Sequence, residues 1–165
     1  MNKALALILL SVAAVVSATA AVTAATPAAA GAPAWPYDEK ADAGADIRQA
    51  LAAAQTDHRR VLLVFGANWC EDCRDLDKAM KGSSRTLITG RFDVVKIDVG
   101  NFNKNLDIAK RYGNPIEKGI PAVVIVDGAD KVLYSTRGGE LADARKMGDK
   151  GIYEFLERKL SGARD

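Results

Sequence analysis

Three short stretches of this chain are mainly apolar, and each predicts a strand. They cover residues 61–65, 92–99 and 121–126 and are rich in valine and isoleucine. Stretches of this length and composition are typical of strands covered on both faces of a sheet. Residues 131–136 follow the turn sequence at 127–130, so we predict that they pair with the third strand as a hairpin.

Between the predicted strands, apolar residues recur every three or four positions, as they do on one face of a helix. This spacing predicts four helices, at residues 41–56, 71–80, 105–112 and 151–160. The first three strands alternate with helices, so we expect them to be parallel, with right-handed crossovers. The last two strands are expected to be antiparallel. The predicted class is therefore α/β, with a mixed central sheet flanked by helices.

The N-terminal part of the chain differs from the rest in composition. Residues 1–25 combine a positive start, an apolar stretch and small residues, which predicts a secretory signal peptide cleaved after Ala20 or Ala25. An uncleaved membrane anchor is the alternative. Residues 26–37 are rich in Ala, Pro and Gly, which favours a flexible linker. A folded domain is therefore expected at residues 38–165.

Charge and cysteine content narrow the classes of function. The 23 basic and 21 acidic residues are scattered, which indicates no nucleic acid or anionic membrane surface as a partner. Two cysteines are too few for a disulfide-stapled scaffold, and with the single His58 they cannot form a zinc site. We therefore expect no metal, although copper(I) accepts two soft ligands. No exposed apolar stripe stands out, and we expect a monomer.

The cysteines Cys70 and Cys73 lie directly between a predicted buried strand and a predicted helix. This placement sets the first sulfur at a helix N-terminus, where unpaired N–H groups and the helix dipole favour an anion. We therefore expect Cys70 to be the exposed nucleophile and Cys73, one turn later, to be the covered resolving thiol. The alternative is a structural disulfide, which would close so short a loop that it constrains little chain.

The residues around this pair carry a resemblance to the thioredoxin family. Residues 65–74 resemble its active-site segment, residues 94–98 its next central strand, and the Gly-Ile-Pro sequence ending at Pro121 its cis-proline loop. The resemblance implies a thioredoxin fold, with a mixed sheet of about four to five strands flanked by helices. It also implies that Ile120–Pro121 is a cis peptide facing the cysteines. No organic cofactor or metal is implied, because the dithiol is the redox group.

Two departures from the family pattern affect the chemistry. Glu71 and Asp72 stand where the family usually has Gly-Pro, and Val64 stands where it often has a buried aspartate that assists proton transfer. Water or Lys96 is the expected substitute for that aspartate. The two acids stabilise the helix N-terminus, but each also disfavours the Cys70 thiolate by about 1 to 4 kcal/mol. A less stable thiolate favours the disulfide and thus a reducing role.

Four further residues have two interpretations each. Trp69 either shields the site or is a core tryptophan, and Lys96 is either a buried partner of the site or a solvated charge. Trp35 and Tyr37 either dock the linker on the domain or are mobile.

The resemblance and the predicted signal peptide together imply a function. We expect an exported oxidoreductase that reduces the disulfides of other exported proteins through Cys70 and Cys73. Its compartment would be the periplasm, where a membrane-embedded thiol reductant must resupply its electrons. The alternatives are a disulfide oxidase or isomerase, and a non-enzymatic copper(I)-binding module.

Overall fold

The computed structural model describes residues 35–162. The predicted signal peptide, residues 26–34 of the predicted linker and residues 163–165 lie outside the described residues. The strands are β1 Arg60–Gly66, β2 Phe92–Asp98, β3 Ala122–Val126 and β4 Val132–Ser135. The helices are α1 Ala43–Asp57, α2 Glu71–Lys81, α3 Arg85–Thr89, α4 Leu106–Arg111 and α5 Ala144–Gly162. No helix between residues 35 and 162 is both apolar enough and long enough to span a membrane.

The four predicted strands form one mixed sheet in the order β2-β1-β3-β4. β1 is parallel to β2, as expected, and the β3–β4 hairpin is antiparallel. The prediction that the third strand is also parallel is wrong, because β3 runs antiparallel to β1. The six residues of α4 advance the chain by only about 9 Å, against about 23 Å for seven-residue β2. β3 begins at Ala122, opposite Phe65 near the end of β1, so the connection does not return to the edge where β2 began.

The central strand β1 is buried on both faces, as its apolar sequence predicted. Alternate side chains enter two separate clusters because successive residues of a strand point to opposite faces. One cluster contains Leu63 and Phe65 with residues of α1 and α4. The other contains Leu62 and Val64 with residues of α2, α3 and α5. The sheet is thus held between two helical layers.

Two helical features were not predicted. α3 has five residues, of which only Ile88 is buried, so its apolar pattern is too short to show a helical period. α5 begins at Ala144 instead of residue 151, and its backbone is kinked at Gly148, where φ is 62°. A glycine accepts this left-handed conformation without strain. The kink separates a short first turn, which contains Arg145, from the main body of the helix.

Candidate active site

The two cysteines lie where β1 gives way to α2, as the sequence predicted, and they form a disulfide bond. Cys70 is the N-cap residue of α2, and its Sγ accepts a hydrogen bond of 3.1 Å from the backbone N–H of Cys73. An N-cap acceptor satisfies one of the free N–H groups of the first helical turn. The same N–H would stabilise negative charge on Cys70 in the reduced protein.

The expectation that Cys70 is exposed is wrong for this disulfide form, since only 5% of the residue is accessible. Cys73 is fully covered, so Cys70 is still the more accessible of the two. The loop before β3 provides the cover, and Cys70 Sγ lies 3.6 Å from the carbonyl oxygen of Ile120. The Ile120–Pro121 peptide is cis, as predicted. The cis-proline loop therefore lies directly beside the sulfur of Cys70.

Trp69 is not a core tryptophan, because 55% of its surface is exposed. Its indole N–H donates a hydrogen bond of 2.9 Å to the carbonyl of Gly100, which fixes the ring. Its ring centroid lies 6.3 Å from that of Phe102, which is also exposed. The two rings form an apolar surface next in sequence to Cys70.

Glu71 and Asp72 share a cation that sequence reasoning missed. The backbone N–H of Arg145 donates to Asp72 Oδ1 at 2.9 Å, and its guanidinium Nε lies 3.2 Å from the same oxygen. The guanidinium also pairs with Glu71. The hydrogen bond to Asp72 and both negative charges raise the pKa of Arg145. Because Arg145 partly neutralises the two acids, they oppose a Cys70 thiolate less than their sequence positions suggested.

Arg145 could not be identified from the sequence for three reasons. It lies more than seventy residues from the acids it contacts, and its basic neighbour Lys146 is equally plausible from the sequence. The helical period that it belongs to was also predicted to start later, at residue 151.

Lys96 is paired with Asp77 and mostly covered, so it is not a solvated charge. Its Nζ lies 3.0 Å from Asp77 Oδ1, and Lys81 binds the other oxygen at 2.7 Å. Burial lowers the pKa of Lys96. Burial alone would raise the pKa of Asp77, but Lys96 and Lys81 together lower it. Lys96 faces Val64 across the β1–β2 register, and its carboxylate partner Asp77 belongs to α2.

Tyr37 is docked on the domain, which decides between the two alternatives for that residue. Its backbone N–H donates to Asn68 Oδ1 at 3.0 Å, and Asn68 Nδ2 donates to the carbonyl of Tyr37 at 2.9 Å. Its side chain is 2% exposed and belongs to the same apolar cluster as both cysteines. Trp35 remains 54% exposed, with the Arg74 guanidinium 6.0 Å from its ring centroid. Sequence reasoning did not assign Tyr37 to the site.

Comparison with known proteins agrees with this geometry. A family model described as thioredoxin-like matches residues 42–128, which is more than half of the chain. Thioredoxin-1 of Drosophila yakuba is 34% identical over 67 residues, a match that covers 41% of this chain and 57% of that protein.

A solved structure supports the same assignment over a greater length. The crystal structure described as a disulphide isomerase from Xylella fastidiosa Temecula1 is 55% identical, with a TM-score of 0.74. The match covers 77% of this chain and 98% of that one. The predicted fold class, a thioredoxin fold with a mixed sheet of about four to five strands flanked by helices, is thereby confirmed, and the sheet has four strands. The chain belongs to the thioredoxin-like family and carries a Cys-x-x-Cys pair at Cys70 and Cys73.

Proposed function

We propose that this protein is an exported thiol–disulfide oxidoreductase that reduces disulfide bonds in partner proteins. The observation that carries the proposal is the position of Cys70 Sγ. It caps the N-terminus of α2, is bonded to Cys73 and lies beside the Ile120–Pro121 loop. This arrangement joins a stabilised thiolate to a second thiol within reach, which are the two requirements of dithiol exchange.

The exchange takes two steps. The Cys70 thiolate attacks one sulfur of a partner disulfide, which forms a mixed disulfide and releases the first partner thiolate. Cys73 then attacks Cys70 Sγ, so that the internal disulfide forms and the second partner thiolate leaves. The partner gains two electrons and the protein loses two. No organic cofactor or metal is needed for either step.

Recycling of the protein requires a source of electrons. In the periplasm, to which the predicted signal peptide would direct the chain, the surroundings are oxidising. We propose that a membrane-embedded thiol reductant reduces the Cys70–Cys73 disulfide there. Two measurements test the export. Cell fractionation locates the protein, and the mass of the purified mature protein shows where its N-terminus begins. Recovery of the full-length chain only in the cytoplasm would contradict it.

Disulfide isomerisation is the second candidate, and a specific observation favours it. The structure that is 55% identical to this chain is described as a disulphide isomerase. The Arg145 contact also weakens the electrostatic reason for a strongly reducing site, because it partly neutralises Glu71 and Asp72. An isomerase makes the same first attack, but the disulfides of the substrate are then rearranged without net reduction.

Two assays on the purified chain separate these candidates. Reduction of insulin with a thiol donor, combined with a redox potential below about −230 mV against glutathione, would support the reductase. Reactivation of scrambled ribonuclease without net reduction would support the isomerase. Cys70→Ser is the control in both assays. A potential near about −120 mV, typical of strongly oxidising periplasmic enzymes, would contradict the reductase.

A further inference from the structure

The hydroxyl of Tyr37 is buried without a hydrogen-bond partner. The residue is 2% exposed, and water does not reach the oxygen atom. Buried hydroxyl groups nearly always have a partner, because removing one from water without compensation is unfavourable. The proposed reaction, in contrast, creates a new acceptor in this region whenever the disulfide is reduced.

Gly66 brings this hydroxyl close to the second cysteine. A Cβ atom on residue 66 would lie 2.2 Å from the Tyr37 oxygen and 2.9 Å from Cys73 Sγ. The two side chains therefore converge on the same space in front of the Gly66 backbone. Any larger residue at position 66 would separate them, so the glycine provides the close approach.

The surroundings keep Tyr37 in place and protonated. The two hydrogen bonds between its backbone and Asn68 fix the start of the side chain. The Lys96 ammonium lies 5.5 Å from the centre of its ring. Burial, followed by the negative charges of Asp77 and Asp98, raises the pKa of Tyr37 well above its ordinary value. The group can therefore donate a proton in a hydrogen bond but cannot act as a base near neutral pH.

We propose that Tyr37 is a positioning residue for the second half of the exchange: its hydroxyl donates a hydrogen bond to Cys73 Sγ in the reduced and mixed-disulfide forms. This inference rests on the proposed oxidoreductase function. Cys73 enters the step as a thiolate, its proton having passed to solvent. The thiolate forms a bond to Cys70 Sγ, the bond from Cys70 to the partner breaks, and the partner sulfur leaves with the electron pair. The hydrogen bond stabilises the Cys73 thiolate and orients it toward Cys70 Sγ.

The first test measures the pKa of Cys73 directly. In a Cys70→Ser background Cys73 is the only thiol, and its titration can be followed by NMR of isotope-labelled cysteine Cβ. Adding Tyr37→Phe should raise this pKa by about one unit, which is a tenfold loss of thiolate at neutral pH. Tyr112→Phe is the matched control, because its hydroxyl binds Asp130 at 2.7 Å beyond the far end of β3.

The second test follows resolution in the intact dithiol. Reduced protein reacts with an aromatic disulfide such as Ellman's reagent, and the second thiolate released reports attack by Cys73. Tyr37→Phe lowers the fraction of Cys73 present as thiolate about tenfold. The thiolate that remains is more basic and therefore about threefold more nucleophilic. The net expectation is resolution about threefold slower, with no change in Tyr112→Phe.

A measurement on the unmodified protein keeps the proposal testable if Tyr37→Phe does not fold. Reduction at a pH above the Cys73 pKa should shift the Tyr37 hydroxyl proton downfield and slow its exchange. An unchanged Cys73 pKa in an active Tyr37→Phe enzyme, an equal change in Tyr112→Phe, or an unaltered hydroxyl proton would each overturn the assignment of Tyr37 alone. Failure of the unmodified chain to act on any disulfide would instead overturn the proposed function.

Discussion

Replacement of Asp77 by Asn tests whether the Asp77–Lys96 pair stabilises the folded domain. The side chains of Asp77 and Lys96 are 11% and 20% exposed, so the pair is mostly removed from water. Loss of one partner of a buried pair costs about 3 to 5 kcal/mol. The remaining exposure, and the ability of Asn to accept a hydrogen bond, reduce this cost. We expect Asp77→Asn to lower the free energy of unfolding by about 2 kcal/mol.

A double-mutant cycle separates the pair from other effects at Asp77. Lys96→Met replaces the ammonium by an apolar group of similar length, so the double variant buries no unpaired charge. The free energy of unfolding of the double variant should exceed that of Asp77→Asn alone by more than about 1 kcal/mol. Lys81→Ala is the control, because Lys81 binds the same carboxylate but is 64% exposed. Its cost should stay below about 1 kcal/mol.

Urea unfolding of the oxidised protein, followed by circular dichroism, measures these differences. The slope of the transition should be the same in all variants, so that a changed midpoint reports stability. Strictly additive losses in Asp77→Asn and Lys96→Met, without recovery in the double variant, would refute the pairing.

The pH dependence of stability provides an independent check on Asp77. Its pKa in the folded protein is below the ordinary value of 3.8, so the unfolded chain binds the proton more readily. The stability that this carboxylate contributes is therefore present above about pH 4 and is lost as the pH falls through its folded pKa. The difference between the unmodified chain and Asp77→Asn should shrink over that acidic range. A constant difference would show that the carboxylate charge is not responsible.

Three further predictions concern the site itself. Cys73→Ser should abolish turnover and accumulate a mixed disulfide through Cys70 on non-reducing gels, whereas rapid turnover would contradict a dithiol mechanism. Arg145→Gln should raise the Cys70 pKa, measured by pH-dependent alkylation, and make the redox potential more negative, because Glu71 and Asp72 lose their cation. Lys146→Gln is the control. Equal effects in the two variants would refute a specific contact of Arg145. Gly66→Ala should cost about 1 to 3 kcal/mol in unfolding, because the new Cβ would collide with the Tyr37 hydroxyl. Unchanged stability would refute that close approach.

The local patterns of the chain were sufficient for most of the fold. The apolar run of β1 predicted a strand covered on both faces, and the structure confirms it. The direction of β3 could not be predicted in the same way, because it depends on the path of the whole connection after β2. α3 was missed because a single buried residue cannot show a period.

The sequence by itself determined the cysteine pair, its place at the start of α2 and the proline loop that follows, because each is specified by a few adjacent residues. Only the tertiary structure decided which groups surround the pair. Arg145 and Tyr37 reach the site from distant parts of the chain. Charge and hydrogen bonding act over a few ångströms of space whatever the separation in sequence, so these partners became visible only once the chain was folded.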